Sequence, residues 1–406
     1  MSRKTLWVFN QFASTPETNT GAGERHYHLS ELISEKGWNT YVFSASYNHL
    51  FLKNPSRKFP YSIQKISDHV SFCWMWVNKY NSDSGLQRLL SWLTFCFSLL
   101  FIRRKRFGKP DVVLVSSMSI WPVINALLIK LFSRNVKFIF EVRDVWPLTP
   151  IYLGNMSRNN PVIRIMFWLE KLAFKYADSI VSVLPGVGTR ISEVTPGLEH
   201  KFVWIPNAIT PELKPVVSTK ETSKTFDIIY AGAMGTANAL DAFVKAAIQL
   251  KDSGIRFRLF GDGPLRSTYV AQTKHQDHIE FPGKVPKHEL QKYIASSDLG
   301  FIAWENSPLY DYGVSANKYN DYMLCQIPIL SVGKIPKDPV KLANAGLTLE
   351  TNSTDLIISA LIKLQNTKEE ELKAMGMAGF DYVMKNKTYP VISKSYMKLL
   401  EEITAP

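Results

Sequence analysis

Short apolar runs alternate with amphipathic stretches along most of the chain, in a repeating order of strand, turn and helix. In the first half, the runs Leu6–Asn10, Thr40–Phe43, Val112–Val115, Phe138–Glu141, Ser179–Val183 and Phe202–Ile205 predict strands. Between them, helical periodicity predicts helices over Ala22–Lys36, Leu86–Arg106, Trp121–Phe132, Pro161–Tyr176 and Pro185–Val194. Alternation of this kind implies a parallel sheet with helices on both faces. The polar, proline-containing stretch 206–225 has no apolar period and reads as a linker. The same order resumes from Ile228–Ala231 to about Met384, and Val391–Ile403 is again helical in pattern. The expected fold class is α/β, with two doubly wound, Rossmann-like domains facing across a cleft. Residues 1–205 would form the first domain and 206–225 the linker. Residues 226–385 would form the second domain, and 386–406 a C-terminal helix packing back on the first.

Length agrees with this division, because 406 residues exceed one ordinary core. A hydrophobic content of 46% with 20% charged residues is globular. Cys73, Cys96 and Cys325 have no paired spacing, so neither a disulfide framework nor a zinc site is indicated, and a reducing cytoplasm is expected. The opening MSRKTLWVFNQF runs straight into a strand pattern, without the apolar region and cleavage site of a signal peptide. The net charge of +13 favours anionic partners. Arg103, Arg104, Lys105, Arg106 and Lys109 follow directly on the apolar run Leu89–Ile102. That run is shorter than the roughly 20 residues needed to span a bilayer. Two readings stay open for it: a helix lying on the membrane face with its cations at the head groups, or a core helix with a solvated basic end. Nucleic acid is not expected as a partner, because the cations are not interleaved with aromatics along a groove.

The candidate chemistry lies at turns following strands. Three units in the second half read FDIIYAGAMGTANALDAF, FRLFGDGPL and YGVSANKYNDYMLCQIPIL. Each brings small residues to a turn before a helix, where free N–H groups and the helix dipole favour phosphate. Gly232, Gly235, Thr236 and Asn238 form the first turn, and Gly261 and Gly263 the second, with Arg266 as a nearby cation. Ser315 and Asn317 open the third helix, and Lys318 is the candidate for a direct charge on a diphosphate. Asp321 is read either as an acceptor for sugar or ribose hydroxyls or as a first-turn acid on the helix dipole. In the first half, Gly21, Gly23, Glu24 and Arg25 lie between the first strand and first helix, as a ligand-facing or an ordinary capping turn. Arg143, Asp144 and Trp146 follow a strand, where they suit sugar hydroxyls and a sugar ring; the alternative is a structural Arg–Asp pair.

The sequence holds no GxxxxGK[ST], GxSxG, HExxH or D-x-D motif. The histidines have no ligand spacing, so no metal or other cofactor is expected. Amides and cations are left to hold the leaving group. With Gly21–Leu29, RDVWP (143–147), ADSIVSVLPG (177–186), IPNAI (205–209), YAGAMGTANALD, GDGP and NKYNDYMLCQIP in this order, the chain resembles retaining glycosyltransferases of the GT-B fold, family 4. Within these it resembles the branch building bacterial O-antigen and capsule repeat units, including N-acetylfucosamine transferases.

The resemblance implies a UDP-sugar donor on the second domain, carrying an N-acetylated hexosamine or deoxyhexosamine. Lys284 and Val285 would meet the uracil, Gly232–Asn238 the phosphates, and Asn317, Lys318 and Asp321 the sugar, phosphate and ribose. Lys318, Asp321 and Asp144 are the candidate catalytic residues. The acceptor implied is an undecaprenyl-diphosphate-linked saccharide, placing the protein in the cytoplasm, peripheral on the inner face of the cytoplasmic membrane. The family's paired glutamates would fall at Gly313 and Asp321, so the first is absent and the second shortened. The usual Arg and Lys of the Gly-rich turn are Ala233 and Asn238. A UDP-N-acetylhexosamine 2-epimerase of the same fold and a non-catalytic scaffold for glycan assembly are the alternatives.

Overall fold

The computed structural model describes residues 3–18, 23–49, 51–81, 85–117, 119–210 and 225–405. The chain divides into two compact units: unit 1 takes residues 1–206 and 389–406, unit 2 residues 207–388. Most of the expected linker, residues 211–224, lies outside the described residues.

Unit 1 begins with β1 (Lys4–Phe9), α1 (Arg25–Glu35), β2 (Trp38–Ala45), β3 (Tyr61–Lys65) and β4 (Val70–Met75). It continues through α2 (Gly85–Leu99), α3 (Arg104–Phe107), β5 (Val112–Ser116), α4 (Val123–Phe132) and β6 (Lys137–Val142). Then follow α5 (Leu148–Tyr152), α6 (Pro161–Tyr176), β7 (Ser179–Ser182), α7 (Val187–Val194) and β8 (Phe202–Trp204). The sheet order is β3-β4-β2-β1-β5-β6-β7-β8, and only β3 runs antiparallel to its neighbour. The strands read LWVF, VVLV and FIF because both faces of a parallel sheet are buried. Edge strand β3, YSIQK, is half-buried; with no apolar run to mark it, the sequence pattern missed it.

Unit 2 comprises β9 (Phe226–Ala231), α8 (Asp241–Gln249), β10 (Ile255–Phe260), α9 (Arg266–Gln272), β11 (Ile279–Gly283) and α10 (Lys287–Ala295). It is completed by β12 (Leu299–Ala303), α11 (Asn317–Leu324), β13 (Ile329–Val332), α12 (Pro339–Ala343), β14 (Gly346–Leu349), α13 (Thr354–Gln365) and α14 (Glu369–Asn386). All six strands are parallel, in the order β11-β10-β9-β12-β13-β14. Phe243, Phe257 and Phe301 anchor the core between the sheet and α8 and α13, with Phe243 stacked on Phe301 at 3.7 Å. The chain closes with α15 (Tyr389–Ile403), which belongs to unit 1 and packs on α1.

The long helix expected over Leu86–Arg106 is two helices. After Leu99 the turn tightens through Leu100, Phe101 and Ile102, and Arg103 is extended at φ −85, ψ 104. The break lets Phe107 enter the core against Tyr41, Phe43 and Tyr61 while the cations before it stay in solvent. A continuous helix could not satisfy both. Among the described residues no helix is long and apolar enough to cross a membrane.

Candidate functional site

In a doubly wound sheet the connections leave in opposite directions at one point, and ligands collect beyond the strand ends there. In unit 2 that point lies between β9 and β12. The turns around it are laced together through their backbones. Gly232 N donates to Phe260 O (3.0 Å), Met234 N to Asp262 O (2.8 Å), Leu265 N to Met234 O (3.0 Å) and Gly261 N to Gly283 O (2.8 Å). Gly261 sits at φ 122, and a Cβ there would lie 1.9 Å from Gly232 O. A Cβ on Gly263 would meet Met234 O at 2.5 Å. Both glycines therefore serve close approach between turns, and the smallness expected to admit a ligand admits the neighbouring loop.

Lys318 stands over Gly232, with Nζ 3.2 Å from where a Cβ of that glycine would be. The amine donates to Asn238 Oδ1 (2.6 Å) and Tyr230 Oη (3.4 Å). It lies 4.9 Å from the Tyr230 ring centroid and 5.6 Å from that of Trp304. Trp304 follows β12, and its indole N–H donates to Tyr319 Oη (2.8 Å), which meets Ser331 Oγ at 3.0 Å; that hydroxyl donates to Asp338 (2.7 Å). Two aromatic rings and an amide carbonyl thus surround a cation for which the described residues provide no carboxylate partner. Burial pulls its pKa down to about 7. Tyr230 and Trp304 escaped the sequence reading. A large aromatic directly after the apolar run LGFIA was the available signal for Trp304.

The remaining unit 2 candidates differ in how their polar atoms are engaged. Asn317 is exposed at the start of α11, whose first turn has neither a side-chain cap nor an acid, so its N–H groups and Lys318 act together. Asp321, one turn on, has an inward Oδ1 without a hydrogen-bond partner; Lys287 Nζ is 3.9 Å away, and burial raises its pKa against that cation. Ser315 accepts from Asn207 N through Oγ (3.3 Å) and from Asn207 Nδ2 through its carbonyl (2.7 Å), so it ties the IPNAI segment to this loop. Thr236 is exposed and Gly235 half-buried in the 3₁₀ turn before α8, whose own first turn already carries Asp241. Lys284 is exposed and 3.4 Å from Asp262, with Val285 half-buried beside it. Arg266, expected as a second cation for the diphosphate, instead donates to Phe281 O (3.0 Å) and braces α9 to β11. Gly313, where the family's first glutamate would fall, has φ 87 and ψ −178, a conformation that strains any side chain.

In unit 1 the corresponding point lies between β1 and β5, but its buried charge is matched. Glu141, at the end of β6, is fully buried. Arg25 Nε donates to its Oε1 (3.0 Å), as does the Tyr396 hydroxyl; Ser116 donates to Oε2 (2.9 Å), and His26 Nε2 is 3.0 Å away. Asn10 Nδ2 faces His26 Nδ1 at 2.8 Å while Asn10 Oδ1 accepts from Phe12 N, so Nε2 carries the proton toward Glu141. Burial alone would raise the Glu141 pKa; Arg25, then His26, outweigh it and hold it well below the usual range. The rest of the Arg25 fork binds Pro206 O (2.6 Å) and Ile205 O (2.9 Å). Arg25 does not join the acceptor group assigned from sequence. The first turn of α1 aims it at Glu141, and each of its three nitrogens already has an acceptor.

Gly21 lies outside the described residues. Gly23, at φ 92, packs on its own chain, where a Cβ would meet Phe12 O at 2.6 Å, and Glu24 is 3.5 Å from His28. Arg143, Asp144 and Trp146 do gather beyond β6. Asp144 is exposed, Arg143 Nε and Nη1 are buried without a partner, and the Trp146 ring meets Trp92 edge-on at 5.4 Å, its N–H unpaired. Unpaired donors beside an indole suit a polyhydroxylated ligand.

Residues 225–367 match the family of group 1 glycosyl transferases. No curated protein matches the chain by sequence. Among solved structures it resembles sucrose-phosphate synthase from Thermosynechococcus elongatus (TM-score 0.77, 14% identity, 99% of this chain and 100% of that one). It also resembles WaaG, a glycosyltransferase involved in lipopolysaccharide biosynthesis (TM-score 0.67, 11% identity, 99% and 100%). A third is Anabaena HepE in complex with UDP-glucose (TM-score 0.66, 11% identity, 98% and 99%). These likenesses establish the GT-B architecture of two parallel-sheet, Rossmann-like domains. With the group 1 match over its second unit and the GT-B fold throughout, the chain is a glycosyltransferase.

Proposed function

We propose that the enzyme moves an N-acetylated hexosamine or deoxyhexosamine from a UDP-sugar onto an undecaprenyl-diphosphate-linked saccharide, as a step in O-antigen or capsule assembly. The carrying observation is Lys318, a cation set over the first Gly-rich turn without a described carboxylate partner. A donor diphosphate supplies the missing anion, the open first turn of α11 adds N–H donors, and Asp321 accepts from a sugar or ribose hydroxyl. Arg143, Asp144 and Trp146 hold the acceptor sugar. Support for a lipid-borne acceptor comes from unit 1, where α2 exposes Leu86, Leu90, Leu93 and Phe97, and α4 exposes Leu131 and Phe132, beside Arg103–Arg106. On this reading the protein works at the inner face of the cytoplasmic membrane.

Transfer proceeds with retention. The bond from the anomeric carbon to the diphosphate breaks, the acceptor oxygen bonds to that carbon on the same face, and its proton passes to the departing phosphate oxygen. This route asks the protein for orientation and stabilisation of the departing diphosphate, with no metal ion in the scheme. Calorimetry with UDP, followed by UDP release from UDP-sugars with and without lipid-diphosphate saccharides, tests it. Acceptor-dependent release is expected and should be unaffected by EDTA. Failure to take up any uridine nucleotide would sink the proposal.

A further inference from the structure

A recess of about 220 Å³ opens in unit 1 between α4 and the C-terminal end of α2. Its walls are hydrocarbon, from Leu99, Leu100, Ile102, Leu128, Ile129 and Phe132. It exceeds the roughly 150 Å³ of an apolar cavity that stays dry and admits a benzene ring. Arg104 also lines the recess, 3.4 Å from Ser133 Oγ, and Arg103, Lys105 and Arg106 are exposed next to it. Among the described residues no carboxylate pairs with any of the four cations. The exposed side chains of Leu100 and Phe132 continue the apolar surface outward.

Hydrocarbon walls with unpaired cations alongside match one chemistry. We propose that this recess binds one acyl chain of an anionic glycerophospholipid, with the phosphate on Arg104 and its cationic neighbours. The site deepens the membrane-facing reading of unit 1 and rests on it. A bound chain would hold the enzyme to an anionic leaflet at one defined point, beyond the general adhesion of an apolar face.

The test is calorimetric titration of the full chain with lysophosphatidylglycerol below its micelle concentration. Saturable binding of one lipid per chain is expected. Ile129→Trp and Leu128→Trp, which fill the recess, should each weaken it at least tenfold, and Arg104→Gln several-fold. Lysophosphatidylcholine should bind several-fold more weakly, and glycerol 3-phosphate, lacking the chain, should not bind. Melting curves and UDP uptake recorded on the same samples show that each variant is folded. They also separate the two ideas, because lost lipid binding with intact UDP uptake leaves the donor reading standing. Absence of saturable binding, indifference to both tryptophan variants, or tenfold tighter binding of a polyprenyl phosphate would each overturn the proposal.

Discussion

Each unit places a basic side chain near the point where its sheet reverses winding, and the two treat it in opposite ways. In unit 1, buried Arg25 is met by Glu141, Tyr396 and two carbonyls. In unit 2, Lys318 is met by an amide oxygen and two aromatic rings, and no described carboxylate neutralises it. A buried guanidinium with a carboxylate partner and an acceptor at each nitrogen is part of the scaffold, whereas a desolvated amine without a counter-charge is poised for an anion. Both positions were assigned to ligands from sequence, and the counter-charge separates them. Glu141 lies 116 residues beyond Arg25, so that pairing could not be read locally.

The contrast can be broken most severely from the unit 1 side. Glu141→Ala would leave Arg25 buried and uncompensated, and urea unfolding should show a loss of about 3–5 kcal/mol. Lys318→Ala should do the reverse. Turnover should fall by about 10²-fold, the scale of one electrostatic donor, while the unfolding midpoint holds. A stability loss in Lys318→Ala matching that of Glu141→Ala would erase the distinction.

A pH titration sharpens the same point. Burial favours the neutral form of Lys318, so the free protein loses its proton near pH 7, while a bound diphosphate holds the proton to higher pH. Binding therefore takes up a proton above pH 7, and UDP affinity should fall by up to about tenfold per pH unit until the bound-state pKa is reached. Lys318→Gln should bind weakly and lack this slope in calorimetry. The smallest effect is expected at Asp321, where Asn keeps an acceptor oxygen but removes the charge. Asp321→Asn should lower kcat/KM by about 3- to 10-fold, the worth of one ordinary hydrogen bond.

Local chemistry was the legible part. Alternating apolar runs announced two α/β domains, because a strand buried on both faces must be apolar along its length. Lys318 was visible because it opens a helix after a turn of small residues, GVSAN. The edge strand β3 stayed hidden because half-burial leaves no apolar run. The division of Leu86–Arg106 stayed hidden because its cause, the pull of Phe107 into a core of Tyr41, Phe43 and Tyr61, acts between residues distant in the chain. Arg266 looked like a phosphate ligand until β11 brought Phe281 O within reach.

By itself the sequence determined the fold class, the strand-end turns and the residue types available there, all of which follow from periodicity and backbone propensity over a few neighbours. Tertiary structure decided which cation is neutralised and which is left bare, because charge pairing acts through space. It joined Arg25 to Glu141 and set Lys318 against Tyr230, Trp304 and Asn238.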